Sequence, residues 1–220
     1  MENFRRHFGL ICVIASSGIF GTSVGMLLPL LPLRLNSLGV EPLLIGVNAA
    51  ASSIAIMLVA PNMGGLVRRF GLVSTVLVGA ALFAVSMAAL AYTDNLYLWF
   101  LLRFVLGVGV ALLWIGEELW VNASAPDHVR GRIIAVYAGV FSASTAVGPM
   151  LLNAVGLAGE APFLLTSAIA LASAVLIIVA RNHVPDVRGD THVSFASIFK
   201  LIPLLLLAGA WVVPFLKGRV

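Results

Sequence analysis

Charged residues are scarce in this 220-residue chain: they make up 10% of it, whereas hydrophobic residues make up 61%. A typical soluble domain is about a quarter charged and about half apolar. A soluble chain of this length could not hide so much apolar surface, whereas a bilayer accepts helices that are hydrophobic on every side. The composition therefore excludes an ordinary soluble protein and predicts an integral membrane protein.

Cysteine is nearly absent, and so are the motifs of the common enzyme classes. The single Cys12 excludes a disulfide framework or a thiolate metal site. The four histidines, at positions 7, 128, 183 and 192, fall at or between the ends of apolar runs, which argues against an imidazole metal cluster. The sequence has no phosphate-binding loop and no nucleophile, base and oxyanion constellation. We therefore expect no metal, no cofactor and no enzymatic activity.

Long apolar runs are what the sequence has in abundance. A membrane-spanning helix needs about 20 predominantly apolar residues. Six such runs are separated by short segments that hold most of the charge, and they cover residues 8–33, 42–61, 72–92, 96–121, 133–155 and 161–180. The expected fold class is an all-α membrane protein, a six-helix bundle in which sequence neighbours pack as antiparallel helices.

A polar stretch after the sixth run sets the expected domain boundary. We expect residues 1–181 to form the six-helix bundle, residues 182–200 to form a cytoplasmic linker, and residues 201–220 to hold a short seventh hydrophobic segment and a tail. The apolar part of that segment, residues 201–216, lies between Lys200 and Lys217 and would be about 24 Å long as a helix. It could cross the membrane if the lysines snorkel, or it could lie partly in the interface.

The basic residues outside the apolar runs are distributed unevenly between the two sides of the membrane. If the amino terminus is cytoplasmic, nine of them fall on the cytoplasmic side and three on the other. This asymmetry predicts a cytoplasmic amino terminus, in the inner (plasma) membrane of the cell. Because the basic residues lie in short loops, we expect lipid headgroups as their partner and no nucleic acid.

The segment between the second and third runs carries a family pattern. Gly64, Leu66, Arg69 and Gly71 resemble the Gly-x-Leu-Ala-Asp-Arg-x-Gly loop signature of the major facilitator superfamily, and Arg68 stands where that signature has its acidic residue. The glycines would permit a tight turn and close helix approach, and the arginines would lie where cytoplasmic lipid and acidic side chains can pair with them. The alternative is a plain basic turn that obeys the charge rule.

Further matches to the same superfamily follow in the expected order. Arg103 and the two glycines after it resemble the Arg-x-x-x-Gly-x-Gly pattern of the fourth helix. Residues 126–132, with Arg130 and Arg132, resemble the loop between the fourth and fifth helices. Gly148 and Pro149 resemble the core of the antiporter signature, but the other glycines of that signature are missing, so we infer no antiport.

The resemblance covers about residues 8–180 and implies the amino-terminal half of a larger architecture. Superfamily members usually have twelve helices in two related six-helix halves, with the substrate site at the midplane between them. The resemblance therefore implies a small-molecule solute and a second six-helix half, provided by the same type of chain or by a separate one. A truncated product, a fragment and a half-sized protein that pairs with a second copy are all compatible with it.

Three ionisable residues lie well inside the apolar runs, all in the fourth: Arg103, Glu117 and Glu118. Each costs about 2.5 to 3.5 kcal/mol to insert, so they should face a cavity or partners and not lipid. Helical periodicity predicts one stripe along this run, formed by Arg103, Gly107, Val110, Trp114 and Glu117. Because Arg103 and Glu117 would be about 21 Å apart along the axis, they would mark two levels of one solvent pathway.

Each of these three residues has a functional and a structural interpretation. The resemblance implies that Arg103 anchors an anionic group or senses proton-coupled change; the alternative is that it hydrogen-bonds backbone carbonyls of the first helix and stiffens the bundle. Glu117 or Glu118 could be a protonatable coupling site, since burial disfavours a charged carboxylate. The alternative for them is a salt bridge at the inner end to an arginine at position 69, 130 or 132.

Smaller polar residues could line the same cavity, although serine and threonine in membrane helices more often bond the backbone or hold helices together. The candidates are Ser16, Ser23, Asn48, Ser52, Ser142 and Thr145. The pair Gly21 and Gly25 indicates close helix packing more than a ligand site.

The predicted function is secondary active transport of a small solute, coupled to a proton or solute gradient, by one half of a two-bundle transporter. A non-transporting membrane scaffold or assembly factor, which would use the half-bundle to bind partners, is the alternative from another class. An inactive truncated fragment is the remaining alternative.

Overall fold

The computed structural model describes the backbone of residues 2–185 and the side chains of residues 7–185. This part of the chain is almost entirely helical and contains no strand. Its seven α-helices are α1 (Glu2–Ser37), α2 (Pro42–Val59), α3 (Met63–Phe70), α4 (Leu72–Leu90), α5 (Leu96–Ser124), α6 (Arg130–Val155) and α7 (Ala161–Ala180). The predicted linker lies outside the described residues from position 186 onward, and the predicted seventh segment lies outside them entirely.

Six stretches of this structure are long and apolar enough to cross a membrane. They correspond to α1, to α2 together with α3, and to each of α4, α5, α6 and α7. The all-helical fold class expected from the sequence is confirmed. The bounds of the sixth predicted run, residues 161–180, agree with those of α7, and α1 and α5 extend beyond their predicted runs.

The segment expected to be a loop between the second and third runs is instead mostly helical. After α2 a short 3-10 turn, Ala60–Asn62, leads directly into α3, so Gly64 and Gly65 lie within a helix and form no tight turn. The change of direction comes at Gly71, whose φ of 82° is a left-handed conformation that glycine adopts without steric cost. Of the glycines expected to permit a tight turn, Gly71 therefore forms it and Gly64 does not.

Local sequence explains several helix ends. Proline at the first position of α2 suits a helix start, because its missing N–H would have no helical partner there. The Asn95 side chain caps α5, since its Oδ1 accepts hydrogen bonds from the backbone N–H groups of Tyr97 and Leu98 at 2.9 and 3.3 Å. Gly156, with a φ of 85°, ends α6.

Helix α1 is the most buried of the six spans, and it packs against α6 and α7 and also contacts α5. Helix α4 packs against both α5 and α7. Helix α2 packs mainly on α5, and α6 mainly on α1, so these two helices leave most of their apolar surface uncovered. The core of the bundle is mostly apolar and includes the buried rings of Phe20, Phe83, Trp99 and Phe163.

Glycines set the closest helix contacts. A Cβ on Gly25 of α1 would collide with the Thr145 carbonyl of α6, and one on Gly21 would lie 2.8 Å from the Phe141 carbonyl. The prediction that these two glycines mark close helix packing is confirmed. On the other side, a Cβ on Gly107 of α5 would lie 2.5 Å from the Ser52 carbonyl of α2. These contacts bring backbones close together, which is how small residues favour helix association in lipid.

Candidate functional site

Glu117 is the most enclosed ionisable residue of the described chain. It lies about two turns before the end of α5, and its side chain has no exposed surface. The Ser16 hydroxyl of α1 lies 2.5 Å from its Oε1, while its Oε2 has no hydrogen-bond partner. The same hydroxyl lies 3.1 Å from the backbone carbonyl oxygen of Ser173 in α7. We call Glu117, Ser16 and Ser173 the carboxyl site; it joins three helices.

Among residues 7–185, no cationic side chain forms an ion pair with Glu117. The ion pairs among the described residues are Arg34–Asp94 at 3.2 Å and Arg130–Asp127 at 2.6 Å. The salt bridge considered for Glu118 is not among them; Glu118 is exposed, and its carbonyl accepts a hydrogen bond from Asn122. The carboxyl site therefore consists of neutral groups around one ionisable side chain.

Two aromatic polar groups are also buried on the helices that form this end of the bundle. The Tyr137 hydroxyl of α6 is buried and lies near Trp114, Glu117 and Glu118 of α5. The Trp120 indole N–H of α5 is buried without a hydrogen-bond partner, one turn beyond Glu117. This end of α5 thus holds polar atoms whose hydrogen-bonding capacity the described residues do not use.

Arg103 lies about two turns after the start of α5 and is 6% exposed. Its Nε and Nη1 atoms are buried without hydrogen-bond partners, so it does not bond the backbone of α1 through them. Its own carbonyl accepts a hydrogen bond from the Ser52 hydroxyl of α2 at 2.9 Å. Asn48, one turn before Ser52, is 1% exposed, and its Nδ2 also has no partner. We call Arg103, Asn48 and Ser52 the arginine site.

The two sites lie at different levels of α5 and contact different helices. Arg103 and Glu117 are 14 positions apart, or about 21 Å along a helix, so they cannot pair. At the arginine site, α5 bonds to α2. At the carboxyl site, α5 bonds to α1, and α1 bonds to α7. Between them, Trp114 is 39% exposed and stacks on Phe141 of α6, with ring centroids 5.4 Å apart. Arg103 and Glu117 thus lie at two levels of α5, as their spacing predicts, and a solvent pathway shared by the two stays a prediction.

Two of the remaining small polar candidates, Ser23 and Thr145, bond backbone atoms. Ser23 of α1 is fully buried and donates to the Thr166 carbonyl of α7 at 3.2 Å. Thr145 donates to the Phe141 carbonyl one turn earlier in α6 at 2.9 Å. Ser142 is exposed on α6. These contacts agree with the interpretation that serine and threonine join helices or bond their own helix.

Sequence reasoning missed the buried polar residues of α7, of which Ser173 belongs to the carboxyl site. Ser173, Thr166 and Ser167 are buried in α7, and Ser167 donates to the Ala84 carbonyl of α4 at 2.7 Å. Thr166 and Ser173 are seven positions apart, which is the same spacing as between Ser16 and Ser23 of α1. Two polar positions at equal spacing on two helices were the available signal that these helices pack together.

The residues that resemble the loop signature lie at one end of the bundle. Arg68 and Arg69 are exposed on the short helix α3, and the Arg69 guanidinium lies 5.3 Å from the centre of the Phe70 ring. Leu66 packs against the core, and Gly64 is half-buried. Arg130 and Arg132 are exposed in the first turn of α6, at the same end as α3. Exposed arginines at this end suit contact with lipid headgroups.

Gly148 and Pro149 have separate roles in α6. Gly148 packs directly on the backbone of Gly25 and Met26 in α1. Pro149 lines a cavity of about 320 Å³ between α1 and α6, together with Pro29, Leu33, Leu152, Asn153, Gly156 and Leu157. No ionisable residue lines this cavity, so neither the carboxyl site nor the arginine site opens into it. Among residues 7–185, no group of three histidine, cysteine or acidic side chains could hold a metal ion.

The opposite end of the bundle is held by polar contacts between loops. Arg34 near the end of α1 pairs with Asp94 in the loop before α5. Tyr92 lies in the same loop and is exposed. The Glu160 carboxylate, just before α7, raises the pKa of the Tyr92 hydroxyl, because the negative charge disfavours ionisation of the phenol. These two contacts connect the ends of α1, α4 and α7.

Residues 13–216 match the family model described as Major Facilitator Superfamily. The chain belongs to the major facilitator superfamily. This membership and the six spans identify an integral membrane protein in a lipid environment.

Relatives within the superfamily are named as transporters. The uncharacterized MFS-type transporter YfkF of Bacillus subtilis (strain 168) is 27% identical over 182 residues, which are 83% of this chain and 46% of YfkF. The uncharacterized MFS-type transporter YcaD of Salmonella arizonae is 29% identical over 92 residues, or 42% of this chain and 24% of YcaD. The chain thus spans less than half the length of these relatives.

Solved structures of the superfamily show the same fold. A crystal structure of the peptide transporter POT in complex with sulfate is similar with a TM-score of 0.67 at 16% identity, covering 95% of this chain and 45% of that one. The complex of POT with alafosfalin gives a TM-score of 0.66 at 18% identity, covering 96% of this chain and 46% of that one. The six helices correspond in fold to about half of such a transporter.

Proposed function

We propose that this major facilitator chain forms a six-helix half of a secondary transporter that moves a small solute across the plasma membrane, coupled to proton movement at Glu117. The observation that carries the proposal is the placement of Glu117: a fully buried carboxyl group with one hydroxyl neighbour and no cationic partner within residues 7–185. Ionisable residues within membrane helices are costly, by about 2.5 to 3.5 kcal/mol on insertion scales, and generally mark functional sites.

Glu117 has the properties that proton coupling requires. A coupling residue must hold a proton in one conformation and release it in another, so its charge must depend on how the surrounding helices are arranged. Glu117 contacts α1 and α7 through one hydroxyl, and a relative movement of these helices would expose it or change its partner. A fixed salt bridge would instead hold the carboxylate ionised in every conformation.

Arg103 is proposed as the second functional residue, in contact with solute or with a second half. Its Nε and Nη1 atoms offer N–H donors that no described residue uses, and a guanidinium binds carboxylate or phosphate groups in a planar, two-bond geometry. The Asn48 amide adds a donor on the same α2–α5 contact. The competing structural role is weakened by the missing bonds, because an arginine that stiffens a bundle should satisfy its donors.

A second six-helix half is proposed as the partner. The chain spans less than half of its relatives, and transporter halves of this kind move against each other around a shared site. Helices α2 and α6 carry exposed apolar side chains, including Leu43 and Met57 on α2 and Val136 and Met150 on α6. These two faces are the proposed contact with the second half, from another copy of this chain or from a separate chain.

Proteoliposomes containing the purified chain can test the proposed function with radiolabelled pools of amino acids, sugars and organic acids. We expect accumulation of at least one pool under an imposed proton gradient, and loss of that accumulation when the gradient is dissipated. The Glu117→Gln variant should keep counterflow exchange but lose the dependence on the gradient. Accumulation that ignores the gradient would contradict proton coupling, and a complete lack of flux from the chain with its partner half would favour the scaffold alternative.

A further inference from the structure

The Ser16 hydroxyl has two acceptors but one proton. Its Oγ lies 2.5 Å from Glu117 Oε1 and 3.1 Å from the Ser173 carbonyl oxygen. A serine hydroxyl donates a single hydrogen bond and can accept others. It therefore cannot donate to the carboxyl group of α5 and to the carbonyl of α7 at the same time.

We propose that Ser16 is a positioning residue whose hydroxyl changes its acceptor when Glu117 gains or loses a proton. This rests on the proposed function, in which Glu117 exchanges a proton. When Glu117 is ionised, the Ser16 O–H donates to the carboxylate. When Glu117 is protonated, the new Glu117 O–H donates to Ser16 Oγ, and the Ser16 O–H turns to the Ser173 carbonyl. The exchange forms or breaks one carboxyl O–H bond with a proton from water.

The proposal therefore couples protonation of Glu117 on α5 to the strength of the contact between α1 and α7. In the protonated state, one continuous chain of hydrogen bonds runs from Glu117 through Ser16 to Ser173. In the ionised state, the bond to the Ser173 carbonyl is lost and the α1–α7 contact is weaker at that level. Each neutral hydrogen bond of this kind adds a small net stabilisation, so the loss of one biases the packing of the two helices.

Few other charged or titratable groups act on this site. Helices α2, α4 and α7 contain no ionisable side chain at all. Among the described residues, Tyr137 of α6 and the neighbouring Glu118 of α5 lie near Glu117. Cys12 lies one turn before Ser16 on α1 and is buried. The arginines of α3, at positions 68 and 69, are exposed. A pH-dependent change at Ser16 therefore has Glu117 as its nearest source.

Ser23 provides a matched control on the same helix. It is as completely buried as Ser16, lies two turns further along α1, and donates to a backbone carbonyl of α7, that of Thr166, at 3.2 Å. It has no carboxyl neighbour among its hydrogen-bond partners. Replacing either serine by alanine removes one α1–α7 hydrogen bond, but replacing Ser16 alone removes the partner of Glu117.

Infrared difference spectroscopy of the full chain in lipid can test the proposal, with Glu117→Gln identifying the protonated carboxyl C=O band of Glu117. We expect Ser16→Ala to move this band to higher wavenumber, because the carboxyl group loses its hydrogen-bond partner. Ser23→Ala should leave the band in place, and Ser16→Thr, which keeps the hydroxyl, should restore it. Thermal unfolding should show a loss of stability that changes with pH for Ser16→Ala and is constant with pH for Ser23→Ala.

The possible results separate this proposal from the proposed function. A Glu117 band that titrates but is unmoved by Ser16→Ala, with a stability loss equal at every pH, would mean that Ser16 donates only to Ser173 and would overturn the proposal. A band that does not change at any pH would overturn proton exchange at Glu117 itself. Since alanine is smaller than serine, Ser16→Ala creates no clash, and its folding can be checked by the protection of buried Cys12 from thiol reagents.

Discussion

The tightest helix contact in the bundle, between α1 and α6, can be tested by adding a single methyl group. A Cβ on Gly148 would collide with the backbone of Gly25 and Met26, and backbone atoms cannot rotate away as a flexible side chain can. We therefore expect Gly148→Ala to force α6 away from α1. Gly139, nine positions earlier on the same helix, is exposed, and a Cβ there would meet nothing within 4 Å. Gly139→Ala is the matched control.

Two opposing effects set the difference in the free energy of unfolding between the two variants. Replacing glycine by alanine inside a helix stabilises it by about 1 kcal/mol, and both variants gain this equally. Gly148→Ala alone carries the cost of overpacking, about 1 to 3 kcal/mol. The difference between the two variants should therefore equal that cost, which corresponds to roughly a 5- to 150-fold difference in the equilibrium for unfolding, at about 1.4 kcal/mol per factor of ten.

The chain provides its own probe of unfolding. Cys12 is the single cysteine of the sequence and is 7% exposed in α1. The rate at which a fluorogenic thiol reagent modifies it follows the population of opened molecules, provided that opening and closing are faster than the modification. We expect modification of Cys12 in Gly148→Ala to be about 5- to 150-fold faster than in Gly139→Ala. Equal rates in the two variants would refute the close α1–α6 contact.

Three further predictions concern topology, the arginine site and assembly. Cysteines that replace Arg68 and Arg130 should resist an impermeant thiol reagent added outside intact cells. Labelling of these cysteines would show that the predicted cytoplasmic amino terminus is wrong. Arg103→Ala should abolish solute binding or flux at normal membrane yield if, as proposed, its unpaired Nε and Nη1 donors bind the solute. Lower yield with full activity in the surviving protein would show a structural role. Crosslink-verified monomers of the chain should show no solute flux in proteoliposomes, and flux at an unchanged rate would disprove the need for a second half.

The sequence determined the six spans among residues 2–185 and the superfamily, because both depend on local features. A run of about 20 apolar residues must satisfy its backbone within a helix once it enters lipid, whatever its neighbours are. Glycine and arginine at fixed spacings, such as Gly71 and Arg103, carry the family pattern along the chain. Even the contact at Gly25 was open to prediction, because a glycine pair one turn apart leaves space for another helix.

Tertiary structure alone decided which helices meet and what each polar group contacts. Both the lipid-facing and the interior-facing sides of these helices are apolar, so periodicity does not show which side is buried. That is why periodicity along α5 did not show that the Arg103 carbonyl bonds to α2, whereas Glu117 bonds to α1 and, through Ser16, is connected to α7. Ser16 and Glu117 are 101 positions apart, and Ser16 and Ser173 are 157 apart. No pattern within a single helix links residues so far apart, and packing of the bundle alone brings them within hydrogen-bond distance.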